Sequence, residues 1–320
     1  MSLLSKLKQA FPGFKFKQDF SLASQAYSKI GGQAEMYIKL KKREEIVELV
    51  SFCKKNNIKL TILGSASNVI ISDEGISGLV LQLANNSIED LNKKNKNGEY
   101  LIRVGAGFKT SLFVQKTVDL GFTGLEHFMG VPGTLGGAIY NNAHYLEELI
   151  SKHIHRIEVI DKNGLIKWLN PNECGFDYDK SRFHSTQEII LSAEFALKKG
   201  SKEESQKLIG VATKYRALTQ PLGDPSSGCI FKNTPNNPTL KKLFPQFKDK
   251  KFVSGGFLID KAGLKGVKIG EVEVSTKHAA FFVNKGKGTA EDLKKLIALV
   301  KQTVEQKFGV KLEEEVFHLS

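Results

Sequence analysis

Only three cysteines occur in this 320-residue chain, Cys53, Cys174 and Cys229. They are too few and too scattered for a disulfide framework or a four-ligand zinc site. A reducing cytoplasm is the expected compartment, and no metal is expected. No apolar run approaches the roughly 20 residues that cross a bilayer. The opening segment, Met1 to Lys8, lacks the apolar core and small-residue cleavage site of a secretory signal. A membrane partner is therefore not expected. Two common nucleotide fingerprints are missing as well. No glycine-rich stretch ends in the Gly-Lys-Ser/Thr of a Walker loop, and Gly105-x-Gly107 leads to Thr110 where the dinucleotide fingerprint needs a third glycine.

Acid is also in short supply. Lys and Arg number 47 against 34 Asp and Glu, a net charge of +13. Such a balance suits a nucleic-acid binder, whose basic side chains displace counterions from phosphates. Yet the lysines are spread along the chain, as in Lys93-Lys94, Lys198-Lys199 and Lys241-Lys242, and no basic stretch is interleaved with aromatics. A lysine-rich surface that attracts phosphorylated small molecules accounts for the charge without a nucleic-acid partner.

What the chain does have is glycine in clusters. Gly121 to Gly137 reads Gly-Phe-Thr-Gly-Leu-Glu-His-Phe-Met-Gly-Val-Pro-Gly-Thr-Leu-Gly-Gly. Glycine weakens helices and strands, so this density has two readings. Either a ligand's phosphates accept hydrogen bonds from bare backbone N–H groups, or the segment is a tightly packed β turn. Two further loops follow strand-like runs. Lys59 to Leu63 leads into Gly64-Ser-Ala-Ser67-Asn68, and Tyr100 to Val104 leads into Gly105-Ala-Gly107. Hydroxyl and amide side chains there add donors to those of the backbone. Three small-residue loops after strands point to a large phosphate-bearing cofactor held by a less common fold.

Periodicity orders the rest. It predicts strands at Met36–Leu40, Leu60–Leu63 and Leu79–Leu83, with a helix over 43–56 whose Ile46, Val47, Leu49, Val50 and Cys53 share a face. The polar residues 85–87 and 92–98 then read as a separator before a more β-rich unit. That unit has a helix over 111–120, strands near 157–160 and 189–197, and a hairpin at Asn163-Gly164. A third unit begins near Gln220-Pro221 and ends in a capped helix. Its N-cap is Thr289, with Asp292 three residues on, and Leu293, Leu296, Ile297, Val300, Val304 and Phe308 form one stripe.

Within the last third, Cys229 lies between Gly228 and Ile230 with Lys232 three residues on. It reads as a buried structural thiol or as a reactive one, since a nearby cation stabilises the thiolate. Glu313, Glu314 and Glu315 are adjacent; in strand geometry Glu313 and Glu315 share one side and Glu314 takes the other.

Together these segments resemble the UDP-N-acetylenolpyruvoylglucosamine reductase family. The matching stretches are Ile30-Gly31-Gly32-x-Ala34, Leu63-Gly64-x-x-Ser67-Asn68 with Asp73-x-Gly75, and Gly124-Leu-Glu126 followed by Gly130 to Ala138. Later come Gly228-Cys-x-Phe-Lys-Asn233, Ala262 to Gly266 with Ile269-Gly270, Val274-Ser275-x-Lys-His278-Ala279, and Phe308 to Val316. They fall in family order from residue 30 to the end. The resemblance implies an α+β protein with a vanillyl-alcohol-oxidase/PCMH-like, two-subdomain FAD-binding fold and a C-terminal α+β substrate domain. The implied ranges are 19–84 and 85–218 for the FAD subdomains, with 309–320 returning to the second, and 219–308 for the substrate domain.

The implied reaction is NADPH-dependent reduction of UDP-N-acetylglucosamine enolpyruvate in peptidoglycan precursor synthesis, by a monomer. Gly64, Ser67, Asn68, Gly105, Gly107, Pro132, Gly133, Thr134, Gly136 and Gly137 would line FAD. Lys232 and Asn233 would meet the UDP-sugar. Cys229 stands where the family has its general acid, and a thiol of ordinary pKa about 8.5 is protonated at neutral pH. Glu315 matches the glutamate that helps polarise the enolpyruvyl carboxylate, a role that calls for a protonated or hydrogen-bonded carboxyl.

Three departures accompany the resemblance. Asp179 occupies the place of the arginine that stabilises the enolate, in Tyr178-Asp-Lys180-Ser181-Arg182-Phe183. Ala66 replaces a usual glycine, and Asn142-Ala-His144-Tyr-Leu146 lacks the Asn-Ala-Gly-Ala-Tyr-Gly pattern. The first leaves room for a different or weakened flavin oxidoreductase. A non-enzymatic nucleic-acid-binding protein is the remote alternative. The direct run from Ala262 to His278 leans toward the family type lacking an extra substrate loop.

Overall fold

The computed structural model of the chain describes residues 2–145 and 148–320. They fall into two compact units: Met1–Asp19, Glu35–Ser65 and Ser77–Arg216 form the first, and Phe20–Ala34, Ala66–Ile76 and Ala217–Ser320 the second. Leu146, part of the divergent 142–146 stretch, lies outside the described residues.

In the first unit the helix Arg43–Lys55 lies between the strands Gln33–Leu40 and Leu60–Leu63. Glu44 and Glu45 sit in its first turn and Lys54 and Lys55 in its last, which suits the helix dipole. Ile46, Leu49, Val50 and Cys53 are its buried face, as the periodicity predicts. The sheet order is Lys17–Ser21, Gln33–Leu40, Ile76–Leu83, Leu60–Leu63, and the last two strands run parallel.

A second sheet orders Ile166–Leu169, Ile154–Ile160, Ile189–Lys199, Tyr100–Gly105 and Ile88–Lys94, every neighbour antiparallel. Here the sequence reading of a polar separator is corrected. Ile88–Lys94 is an edge strand paired with Tyr100–Gly105. An edge position keeps Glu89, Asp90, Lys93 and Lys94 in solvent and discourages pairing with another chain. Central strand Ile189–Lys199 is buried for most of its length, and Phe195 meets Phe113 with ring centroids 4.9 Å apart.

In the second unit Ser226–Cys229, Phe281–Asn284, Val272–Val274 and Lys268–Ile269 form an antiparallel sheet. The helix Ala290–Phe308 begins with the expected reciprocal cap between Thr289 and Asp292. It buries Leu293, Leu296, Ile297, Val300 and Val304. At roughly 1.5–3 kcal/mol per buried aliphatic side chain, this stripe is a large stabilising contribution to the unit. Asp73 adds a second cap, its carboxylate accepting from Ala290 N at 2.8 Å and Glu291 N at 2.9 Å.

The C-terminal strand, expected with residues 85–218, pairs instead in parallel with Val69–Ile71, matching Phe317 to Val69 and Leu319 to Ile71. The β-branched run Val-Ile-Ile offers it a fitting pleated neighbour.

Candidate functional site

In the first unit the three glycine-bearing loops meet. Phe108 O accepts from Leu135 N at 2.9 Å and Ala106 O from Gly136 N at 2.8 Å. Gly133 O accepts from Thr110 N at 3.2 Å, and Lys109 bridges to Thr134. Gly64 joins them, since a Cβ built on it would lie 2.4 Å from Thr134 Oγ1. A Cβ on Gly136 would lie 2.9 Å from Ala106 Cβ. No real contact is that short, so bare backbone is required at both positions.

Sequence reasoning missed the supports of these loops. Gln82 donates from Nε2 to Gly64 O at 2.8 Å and accepts from Tyr37 Oη at 2.5 Å. Burial pushes the Tyr37 phenol up to about 12, so it stays a donor. Asn85, read as part of a spacer, accepts from Gly107 N at 3.1 Å and donates to Leu191 O at 2.7 Å. Only polar side chains within or just after a buried strand hinted at either role.

The cofactor candidates divide by environment. Gly105 and Gly107 face the chain itself: added Cβ atoms would lie 2.3 Å from Asn85 O and 2.6 Å from Ala84 Cα. Their absence of side chain is thus accounted for by packing. Pro132 and Gly137 are exposed, and Gly137 has room, with Thr134 Oγ1 at 3.7 Å from a built Cβ. Thr134 is buried and caps the helix Leu135–Tyr140.

The residues after Ser65 belong to the second unit. Ala66, in the family's glycine position, has φ +51, the left-handed region that glycine occupies without penalty. Ser67 is half-buried. Asn68 turns its amide toward the C-terminus, donating to Glu315 O at 3.2 Å, while its own carbonyl accepts from Phe317 N at 3.2 Å.

That C-terminal segment carries the second cluster. Glu315 N donates to Ile230 O at 2.8 Å, Phe231 bridges to Glu314, and Lys232 N donates to Glu313 O at 2.9 Å. Residues 230–232 and 313–315 therefore run side by side, which sets Glu315 next to the residue after Cys229. Glu313 and Glu314 turn to different partners, as strand alternation predicts. Glu313 is exposed and pairs with the Lys232 ammonium, whereas Glu314 turns to Lys301 at 3.0 Å and His318 at 2.7 Å. Burial pushes the Glu314 carboxyl up, but those hydrogen bonds outweigh it and hold it below the usual range. Lys232 is thus turned to Glu313, and Asn233 sits half-buried beside it in sequence.

The thiols are sorted by burial. Cys53 and Cys174 are fully buried, and burial pushes them up to about 12 and about 11. Cys229 is partly exposed, at the end of the strand Ser226–Cys229.

Asp179, in the first unit, is 5% exposed and has φ +48. Its Oδ1 lies 3.0 Å from His144 Nδ1, and its buried Oδ2 has no partner among the described residues. The His144 ring lies against Tyr178 with centroids 4.5 Å apart. Sequence spacing gave no sign of the contact between 144 and 179. No group of three or more metal-ligating side chains occurs among the described residues, nor a helix long and apolar enough to cross a membrane.

Residues 34–170 match the family described as an FAD binding domain, and residues 220–319 match the C-terminal domain of UDP-N-acetylenolpyruvoylglucosamine reductase. The chain is 37% identical over 311 residues to UDP-N-acetylenolpyruvoylglucosamine reductase 2 of Bacillus thuringiensis subsp. konkukian, covering 97% of this chain and 94% of that relative. It is 34% identical over 306 residues to the Chlamydia felis reductase, covering 96% and 95%. The crystal structure of the Thermus caldophilus reductase superposes with a TM-score of 0.75 at 28% identity, covering 96% of this chain and 99% of that one.

Proposed function

The chain belongs to the UDP-N-acetylenolpyruvoylglucosamine reductase family, and on that footing we propose that it is an FAD-dependent oxidoreductase converting UDP-N-acetylglucosamine enolpyruvate to UDP-N-acetylmuramate with NADPH. The setting is peptidoglycan precursor synthesis in the cytoplasm, by a monomer. The α+β architecture agrees with the fold of that family.

The observation that carries the reading is the pairing of 230–232 with 313–315, through which Glu315 N reaches Ile230 O at 2.8 Å. It brings Ile230, the neighbour of Cys229, beside Glu315, and so supports reading Cys229 as the proton donor and Glu315 as the carboxylate partner, although 229 and 315 are remote in sequence.

The residues present fit FAD. Gly64 and Gly136 hold two loops in close contact, and Gly137 is exposed, with its N–H donating to Thr134 Oγ1 at 3.5 Å. The 64–68 loop supplies Ser67 and the left-handed turn at Ala66. In the first unit Gly64, Pro132, Gly133, Thr134, Gly136 and Gly137 would hold the cofactor, with Gly105 and Gly107 packed against Asn85 and Ala84; Ser67 and Asn68 are the second unit's candidates. Held there, the cofactor would supply redox chemistry, with NADPH as the source of the hydride that the substrate's β-carbon receives.

The remaining work falls to this chain's side chains. Cys229 Sγ–H gives its proton to the α-carbon as the C=C bond becomes C–C, and the thiolate is reprotonated from water. An S–H donor suits this step because its ordinary pKa, about 8.5, is much closer to neutrality than that of an alkyl hydroxyl. Glu315 polarises the enolpyruvyl carboxylate. Lys232, whose ammonium pairs with Glu313, and Asn233 meet the UDP-sugar.

Purified protein, loaded with FAD and reduced anaerobically by NADPH, is expected to return to its oxidised yellow spectrum on adding the enolpyruvyl UDP-sugar. Bound flavin that stays reduced would reject this substrate. It would favour another flavin oxidoreductase, the second reading, which the buried acid at 179 recommends.

A further inference from the structure

Gln82 is out of place in its strand. It interrupts the apolar run Leu79-Val80-Leu81-Gln82-Leu83 and is only 7% exposed. A buried amide costs free energy unless its donors and acceptor are met. Leucine or methionine, of similar size, would carry no such cost, so the polar group at this position calls for a reason.

Its two contacts supply one. Tyr37, buried on the neighbouring strand Gln33–Leu40, donates from Oη to Gln82 Oε1 at 2.5 Å. Burial pushes that phenol up to about 12, so it keeps its proton and remains the donor. The amide oxygen is thereby committed to Tyr37, which leaves the amide nitrogen for another partner. Nε2 donates to Gly64 O at 2.8 Å. Gln82 stands opposite Leu63 in the parallel ladder, one residue before that loop opens.

Holding this carbonyl fixes a direction. In a planar trans peptide the C=O of one residue and the N–H of the next point in opposite directions. With the Gly64 carbonyl turned to Gln82, the Ser65 N–H is turned away from it. Ser65 is half-buried, and nothing among the described residues accepts from its N–H or its hydroxyl. Gly64 is also held by Thr134, since a Cβ on it would lie 2.4 Å from the threonine Oγ1. The 64–65 peptide is thus kept in one orientation, with its donor left for a ligand. Tyr37, Gln82, Gly64, Ser65 and Thr134 all belong to the first unit, inside the 34–170 match to the FAD-binding family.

We propose that Gln82 is a positioning residue for FAD: fixed by Tyr37, its amide holds the Gly64 carbonyl so that the Ser65 N–H is presented to the cofactor. This role rests on the reading proposed above that the loop opening at Gly64 meets FAD.

The test follows release of FAD from the diluted, full-length holoprotein, read as visible absorbance passing a filter that retains the chain. Gln82→Met keeps the side-chain length and removes the donor. It is expected to release FAD about 10–100-fold faster than the wild type, the scale of one buried acceptor left unmet. Tyr37→Phe should release it about 3–10-fold faster, because the amide is then free to rotate. The double variant should match Gln82→Met alone, since Tyr37 acts only through Gln82. At saturating FAD the circular dichroism spectrum should hold in all three.

Wild-type release in Gln82→Met would overturn the assignment, as would single losses that add in the double variant. Should Gln82→Met not fold, wild-type release in Tyr37→Phe overturns it alone. A changed circular dichroism spectrum in both single variants at saturating FAD assigns the pair to the fold and also overturns it. A wild-type chain that holds no FAD, or a Gly64→Ala chain that holds it as tightly as the wild type, rejects the parent reading of the loop, a result distinct from these.

Discussion

Gly64 presents its bare Cα face to Thr134, and a methyl group there would lie 2.4 Å from the threonine Oγ1. The loop after the strand Leu60–Leu63 and the cap of the helix Leu135–Tyr140 are therefore fitted to each other without a spare atom. Gly64→Ala should destabilise the protein by about 1–3 kcal/mol, the usual range for overpacking. Bound flavin per chain, read from visible absorbance, should fall with it. Normal flavin content at normal melting temperature would contradict this account.

Ala66 gives the opposite expectation. With φ +51 and a buried methyl, it sits where an L-residue costs roughly 1–2 kcal/mol. Glycine removes that strain but adds about 0.5–1 kcal/mol of unfolded-state freedom. Ala66→Gly should thus be neutral to about 1 kcal/mol stabilising in a thermal or urea melt, and Ala66→Val clearly destabilising. A large loss on Ala66→Gly would show that the methyl contributes through its contacts.

Cys229 should be the thiol that modifies readily in the native protein. Cys53 and Cys174 are fully buried and pushed up to about 12 and about 11, so neither offers an accessible thiolate. A thiol reagent should react with one equivalent quickly and the other two only on unfolding. Cys229→Ala should leave NADPH reduction of the flavin intact and slow reoxidation by the UDP-sugar by orders of magnitude. Equal slowing of both half-reactions would count against proton donation.

Acid should weaken the first unit through Glu194. Burial pushes this carboxyl up, but Arg156 at 2.6 Å and Arg103 at 2.7 Å outweigh that and hold it below the usual range. A depressed carboxyl gives stability that is complete above its unfolded value, about 4.3, and disappears as pH falls through the folded value. Melting temperature should therefore drop below about pH 4 in the wild type, and less steeply in Glu194→Gln. Removing one partner of such a pair costs about 3–5 kcal/mol at neutral pH. An acid limb of equal slope in the variant would assign the loss to other carboxylates.

Much of this molecule was already written in its local chemistry. The stripe from Leu293 to Val304, its Thr289–Asp292 cap and the face of the helix over 43–55 follow from 3.6-residue periodicity, which any water-soluble helix must obey. Glycine clustering marked the loops that must approach one another, and the separation of Glu313 from Glu314 followed from the two-residue strand repeat. Family order along the chain added the chemistry expected at Cys229 and Glu315.

Pairing across long stretches of sequence was decided elsewhere. Residues 92–94, the end of edge strand Ile88–Lys94, looked like part of a spacer because an edge is solvated and polar. The C-terminal strand chose Val69–Ile71 through backbone hydrogen bonds, which are the same for every residue type and leave no composition to read. Gln82 and Asn85 became loop supports only when Gly64 and Gly107 came within reach. In the same way, His144 and Asp179 are far apart in sequence and meet only in the fold. The sequence determined which segments are helical, which are bare and which carry reactive groups; the tertiary structure decided which of them touch, because a contact between distant residues is a property of the folded backbone and of no local stretch.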